Sequence, residues 1–214
     1  MADAGGRSRT AADGRGLLVD YGGVLTTNVF DAFNEFCAAE GLAHNTIRDL
    51  FRHDERARDL LAALETGELP TADFEARFAQ LLGVAPERLI ERLFAAMEPD
   101  AQMVAAVAAA RAHGVRTGLV SNSWGAAEIY ERERFAVLFD AVVISGEVGL
   151  RKPDPAIYRL AAQRLGVAPE RLVLVDDLPG NLKPARALGM TTIAHRDADA
   201  TLAELERALG LTLR

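Results

Sequence analysis

The stretch Gly16-Leu17-Leu18-Val19-Asp20-Tyr21-Gly22-Gly23 sets a short, wholly apolar run directly against an acid and a pair of glycines. Three later runs have the same character: Thr117-Gly118-Leu119-Val120, Ala141-Val142-Val143-Ile144 and Leu172-Val173-Leu174-Val175. Thr191-Thr192-Ile193-Ala194 is a weaker fifth. A strand with one solvated face alternates apolar and polar residues, whereas one buried on both faces of a parallel sheet is apolar throughout. Helical patterns lie between the runs at 99–113, 155–165, 179–188 and 198–209. The second opens on Asp154 as N-cap with Pro155 in the first turn and stops at Gly166. Strand and helix in alternation predict a Rossmann-like, doubly wound α/β sheet.

One region breaks the alternation. From Val29 to Met97 only helical patterns occur, at 29–40, 45–65, 71–82 and 86–97, separated by Gly41, by Gly67 with Pro70, and by Gly83 with Pro86. The expected organisation is a flexible leader at 1–15, a core of 16–27 and 99–214, and an inserted four-helix unit at 28–98. The heptapeptide Gly-Val-Ala-Pro-Glu-Arg-Leu occurs at both 83–89 and 166–172. Its flanks do not match, so it is read as coincidence, the first copy opening a helix and the second leading into a strand.

Composition narrows the function. Half of the 214 residues are apolar, enough for a sizeable core, and 26% are charged, the ordinary share of a soluble globular chain. The 24 Lys and Arg against 31 Asp and Glu give a net charge of −7, which argues against binding a nucleic-acid backbone. A single cysteine excludes an intramolecular disulfide and suits a reducing cytoplasm. No apolar run approaches the roughly 18 residues of a membrane span. The first fifteen residues lack the apolar stretch of a secretory signal.

Ligands of open α/β sheets bind beyond the carboxyl ends of the strands. The residues there are Asp20-Tyr21-Gly22-Gly23 after the first run, Ser121-Asn122-Ser123 after the second, Ser145-Gly146-Glu147 and then Arg151-Lys152-Pro153-Asp154 after the third, and Asp176-Asp177 after the fourth. Singly, each has a plain structural role: Asp caps helices, Ser-Asn forms turns, and a Lys before Pro sits on the surface. At the ends of successive strands they converge on one edge. Three carboxylates together repel unless a cation joins them. Lys152 supplies one charge, and oxygen ligands favour Mg²⁺ for the rest. A carboxylate so placed can attack a phosphoryl group.

These segments resemble the four motifs of the haloacid dehalogenase-like hydrolase superfamily, with the helical block in the place of the α-helical cap of its subfamily I. The resemblance spans roughly residues 16–195. The stretch Gly149-Leu150-Arg151-Lys152-Pro153-Asp154-Pro155-Ala156-Ile157-Tyr158 is the most specific, together with Val175-Asp176-Asp177 followed by Asn181 and Gly189. Within the superfamily it looks closest to small sugar-phosphate phosphatases and the N-terminal domains of epoxide hydrolases. The resemblance implies a sheet ordered 5-4-1-2-3 and a Mg²⁺-dependent phosphatase acting on a small phosphate monoester, with sugar phosphates among the candidates, through an aspartyl-phosphate. It implies Asp20 as nucleophile, with Lys152 and Ser121 as its catalytic partners. Ser121, Asn122, Lys152 and Gly23 would bind substrate, and Asp20, the Gly22 carbonyl, Asp176 and Asp177 would hold Mg²⁺. The partner is then a small phosphorylated metabolite, with neither nucleic acid nor membrane, and the chain a cytoplasmic monomer or homodimer.

One departure stands out. The superfamily's phosphatases commonly carry a second Asp two residues after the nucleophile as general acid/base, and here that position is Gly22. A backbone carbonyl can still ligate metal, but a proton donor contributing about 10²–10⁴-fold is missing. A leaving group of low pKa needs it less, and Glu147 is the nearest substitute by sequence. A phosphometabolite-binding protein without turnover is therefore the alternative reading. A metal-independent 2-haloacid dehalogenase is disfavoured by the acidic pair Asp176-Asp177. His44 and His53 lack a second ligand at metal spacing, His113 precedes Gly114 at a helix end where a cation suits the dipole, and Cys37 reads as a core thiol. Trp124 divides evenly between pocket wall and packing. Arg52, Arg56 and Arg58 read as a solvated face.

Overall fold

The computed structural model describes residues 14–125, 129–130 and 132–213. Most of the expected leader, residues 1–13, lies outside them. Arg15, at the end of that span, belongs to the fold: its guanidinium donates to the carbonyls of Ala208 and Leu209 at 3.1 and 3.0 Å, satisfying free carbonyls at the end of the last helix.

The five apolar runs form the strands β1 (Gly16–Val19), β2 (Arg116–Ser121), β3 (Ala141–Ile144), β4 (Leu172–Asp176) and β5 (Thr191–Ala194). All neighbouring pairs are parallel, in the order β3-β2-β1-β4-β5, which is the expected order taken from the other edge. Side chains of a strand alternate between faces, so the fully apolar β1 feeds two cores. Leu17 and Val19 pack with α6 (Ala101–Ala112), α7 (Arg132–Leu138) and α11 (Ala198–Leu209). Leu18 packs on the other face with α9 (Pro155–Leu165) and α10 (Pro179–Ala187). The termini follow the sequence chemistry: Asp154 accepts from the Ala156 amide, and Gly166 and Gly210 end their helices in the left-handed conformation.

Between β1 and β2 the chain builds α1 (Val29–Ala39), α2 (Thr46–His53), α3 (Glu55–Glu65), α4 (Thr71–Leu82) and α5 (Leu89–Leu93). Their shared core contains Phe33, Phe36, Phe74, Phe78 and Leu93. The expected helix 45–65 is two helices, because Asp54 is extended and accepts from the Ala57 amide as the N-cap of the second. The expected helix 86–97 shrinks to 89–93, because Arg88 takes the left-handed conformation at φ 51°. Among the described residues the insertion therefore has five helices. The two connections run side by side: Thr26 bridges Pro99, and the Thr27 amide donates to the Glu98 carbonyl at 2.8 Å. Two short helices, α7 and α8 (Ser145–Val148), had no periodic signal.

The repeated heptapeptide behaves as read. Gly83 and Gly166 both end helices in the left-handed conformation, after which Leu89 opens α5 and Leu172 opens β4.

The insertion is seated on the sheet edge beside α8. The Ser145 hydroxyl donates to the Glu65 carbonyl, and a Cβ at Gly67 (φ 76°) would stand 2.6 Å from the Gly146 carbonyl oxygen. Gly67→Ala should therefore force this contact apart, at a cost of about 1–3 kcal/mol from overpacking, with the left-handed strain in addition. Urea unfolding checks it; an unchanged midpoint would show that the contact yields freely.

Candidate active site

The register of the parallel strands decides which side chains meet. Val19 pairs with Val175, so Asp20 falls level with Asp176, and the ladder continues through the Asp20 amide, which donates to the Val175 carbonyl at 3.0 Å. On the other side Val19 pairs with Leu119, which places Ser121 one step beyond Asp20. Lys152 arrives from the loop after α8. Its ammonium lies 2.7 Å from Asp20 Oδ2 and 2.6 Å from Asp176 Oδ2, and it is 1% exposed. One buried cation thus joins two carboxylates from adjacent strands.

Each member is fixed by further bonds. The Tyr21 amide donates to Asp20 Oδ1 at 2.7 Å. Asp176 accepts from the Leu178 amide at 2.9 Å and from the Asn181 side-chain amide, on α10, at 2.9 and 3.1 Å. The Asn122 side chain makes a reciprocal pair with the Lys152 main chain: it donates to the carbonyl at 3.1 Å and accepts from the amide at 2.8 Å. The Asn122 side-chain amide thus positions Lys152, and Asn122 also lines the cavity.

The charges are unevenly balanced. Burial pushes the Asp20 carboxyl up to about 8, with Asp176 and Asp177 adding to the rise and Lys152 opposing it. Burial and then Asp176 push Asp177 up to about 6. Burial works against the Lys152 charge, but the carboxylates of Asp176 and Asp20 outweigh it and hold the ammonium protonated. Asp20, Asp176 and Asp177 each offer one carboxylate oxygen, and these lie within 4.8 Å of one another. Three acids facing one lysine, all with hard oxygen donors, fit a divalent cation of the Mg²⁺ type. Gly23 makes room for this set: at φ 74°, a Cβ there would stand 2.7 Å from Asp177 Oδ2.

A cavity opens on these groups, with about 850 Å³ of empty space including its mouth. Asp20, Gly22, Ser121, Asn122, Lys152 and Asp177 line its floor. Three polar side chains that the sequence did not single out also line it. Tyr130 places its hydroxyl 3.2 Å from Ser121 Oγ and packs its ring at a 49° tilt against Tyr21, with centroids 4.9 Å apart. Glu65 comes from the end of α3, is buried, and accepts from Arg151 Nε at 2.5 Å. Asn181 was quoted from the sequence only as part of a motif, with no role. A tyrosine nine residues past a serine and a glutamate on an inserted helix carry no local pattern, whereas Asn181 had a signal in its spacing of five from Asp176.

The other candidates divide cleanly. Glu147 is exposed, pairs with Arg132 and lies off this cavity, so it is not placed to stand in for the missing acid. Trp124 both lines the cavity and packs in the insertion's aromatic cluster. Cys37 is a buried free thiol. Arg56 is exposed and pairs with Asp54, while Arg58 donates to the Arg52 carbonyl. Among the described residues no helix is long and apolar enough to cross a membrane.

A parallel five-stranded sheet with helices on both faces and a carboxylate cluster at its carboxyl edge is a Rossmann-like α/β scaffold. The family model for haloacid dehalogenase-like hydrolases matches residues 15–189, and the chain belongs to that family. It is 33% identical over 170 residues to phosphoserine phosphatase of Thermus thermophilus, covering 72% of this chain and 66% of that protein. It is 35% identical over 129 residues to bifunctional epoxide hydrolase 2 of Rattus norvegicus, covering 57% of this chain but only 23% of that much longer protein. Among solved structures, a family enzyme from Bacteroides thetaiotaomicron in complex with magnesium and inorganic phosphate superposes with a TM-score of 0.65. The two are 19% identical, and the match covers 85% of this chain and 94% of the other.

The buried charge chain makes Lys152 the structural keystone of the edge. Lys152→Met should destabilise the fold by about 3–5 kcal/mol, because it leaves two buried carboxylates without their partner. Chemical denaturation measures this; a loss under ~1 kcal/mol would show that the pair is readily solvated.

Proposed function

We propose that this chain is a Mg²⁺-dependent phosphatase that hydrolyses a small phosphate monoester through an aspartyl-phosphate, with residues 28–98 as a cap over a core of 16–27 and 99–214. The observation that carries this reading is the buried Asp20–Lys152–Asp176 chain with Asp177 beside it at the floor of a cavity. The phosphatase among its relatives, and magnesium with phosphate in a protein of the same fold, support it.

Asp20 Oδ attacks phosphorus, the ester P–O bond breaks, and the phosphoryl group is carried on Asp20. Lys152 orients the carboxylate and offsets negative charge on the phosphoryl oxygens. The Ser121 hydroxyl and the main-chain amide at Asn122 supply donors to those oxygens, while the Gly23 amide is taken by the Thr26 hydroxyl at 3.1 Å. Water then displaces Asp20 from phosphorus, releasing inorganic phosphate. Asp20, the Gly22 carbonyl, Asp176 and Asp177 would hold Mg²⁺. When bound, it adds the positive charge that lets a carboxylate approach a phosphate dianion. The substrate is a small phosphorylated metabolite, and the cap excludes water during the transfer.

Phosphate release from a panel of phosphorylated metabolites tests this. Turnover should vanish with EDTA and fall by on the order of 10³-fold or more in Asp20→Asn, as for loss of a nucleophile elsewhere. Turnover surviving both would overturn the mechanism.

A further inference from the structure

The floor of the cavity is polar, but its walls are not. Phe30, Phe33, Phe51, Phe94, Met97 and Trp124 line the space above Asp20 and Lys152. The Trp124 ring meets Phe33 at 5.5 Å and Phe94 at 5.0 Å, both edge to face, so three mutually packed rings present an aromatic wall to the cavity. A sugar buried here would exchange hydration of its hydroxyls for a wall offering few partners, a costly transfer. A polar cavity does exist nearby, lined by Arg48, Asp100 and His195 among others. It touches Gly23, Asp177 and Leu178 but not Asp20, Ser121 or Lys152, so a leaving group opposite Asp20 faces the aromatic walls.

A second, independent observation concerns the proton. Position 22 is more than a missing side chain, because its space is taken. A Cβ on Gly22 would stand 2.8 Å from Val29 Cγ2, and Val29 is the first residue of α1, where a β-branched side chain has little rotamer freedom. An apolar methyl thus occupies the approach from which an acid would protonate the departing oxygen. Among the described lining residues the carboxylates besides Asp20 are Asp177, which belongs to the acidic cluster that fits the metal, and Glu65, which is bound to Arg151. The leaving oxygen must therefore depart as an anion. A phenol, with a tyrosine-like pKa of ~10, does so far more readily than an alcohol whose pKa approaches the ~15.7 of water.

We infer that the preferred substrate is an aryl phosphate monoester, its ring held among Phe33, Phe94 and Trp124 and its phosphate on Asp20 and Lys152. This rests on the phosphatase reading above and adds the substrate class. In the first step the Asp20–phosphorus bond forms, the P–O(aryl) bond breaks, and its electron pair leaves on the phenolate oxygen, which takes its proton from solvent. In the second step water adds at phosphorus, the bond to Asp20 breaks, and phosphate leaves with the water's oxygen.

Matched esters separate the two ideas. Phenyl phosphate and cyclohexyl phosphate share size and apolarity but differ in leaving-group pKa, while glucose 1-phosphate and glucose 6-phosphate are polar. With Mg²⁺ and the full chain, kcat/KM for phenyl phosphate should exceed that for cyclohexyl phosphate by 100-fold or more, and both sugar phosphates should fall below phenyl phosphate. Trp124 is the chain's one tryptophan, so its fluorescence reports occupancy of the wall. Phenylphosphonate should perturb it saturably at a concentration at least tenfold below methylphosphonate. Gly22→Asp alone should gain nothing. Combined with Val29→Ala, it should raise the ratio of cyclohexyl to phenyl phosphate kcat/KM at least tenfold; an unchanged ratio would overturn the blocked-acid argument.

Asp20-dependent turnover of a sugar phosphate equal to that of phenyl phosphate would overturn the aryl assignment and leave the phosphatase reading standing. Equal turnover of phenyl and cyclohexyl phosphate would overturn the anionic departure. Tight phenylphosphonate binding without Asp20-dependent turnover of any ester would overturn the phosphatase reading while supporting the aromatic pocket.

Discussion

The structure depends on one buried ammonium. Lys152 sits between carboxylates contributed by two adjacent strands, at 2.7 and 2.6 Å, with almost no exposure. The ammonium opposes the rise that burial imposes on the Asp20 carboxyl, and the two carboxylates in turn hold the buried ammonium protonated against desolvation. The surrounding bonds all serve this arrangement. Asn122 grips the Lys152 main chain on both sides, and Asn181 and the Leu178 amide hold Asp176. A charged edge of this kind contributes little to net stability, since desolvation offsets most of the attraction. Its use is positional: it fixes the Asp20 carboxylate level with Asp176, beside Asp177, at the floor of a cavity.

The helical insertion supplies the opposite environment. Its core is aromatic, and the same cluster that packs Phe33, Phe74 and Phe78 runs on into the cavity wall through Trp124. Polar floor and apolar roof come from different parts of the chain and meet where Ser145 and Arg151 bind Glu65. A water-poor space over a charged floor strengthens every electrostatic contact within it. The absent acid at position 22 and the methyl of Val29 belong to this roof as much as to the site. Both remove polar character from the side on which a leaving group would sit.

Much of this was legible in the sequence because its causes are local or periodic. Continuous apolar runs gave five parallel strands, whose order is the one the family resemblance implied, and Asp154, Pro155 and Gly166 marked both ends of α9. The strand-end residues were legible for a topological reason: a parallel sheet brings the carboxyl ends of its strands to one edge, whatever lies between. The errors came where a single residue overrides a pattern. Asp54 caps a new helix inside a continuous helical periodicity, and Arg88 turns left-handed at φ 51° and shortens the next one. The repeated heptapeptide makes the same point: both glycines stop a helix, but a leucine six residues on begins a helix in one place and a strand in the other.

The sequence by itself determined the class of sheet, the edge at which chemistry occurs, and the residues Asp20, Ser121, Lys152, Asp176 and Asp177 that meet there. These follow from hydrophobic period and strand-end position, which are properties of short segments. Only the tertiary structure decided that Asn122 serves Lys152, that Tyr130 and Glu65 face the cavity, that Glu147 does not, and that Val29 fills the space beside Gly22. Those are contacts between segments far apart in the chain. Their geometry is set by how the insertion packs on the sheet edge, and no spacing within one segment encodes it.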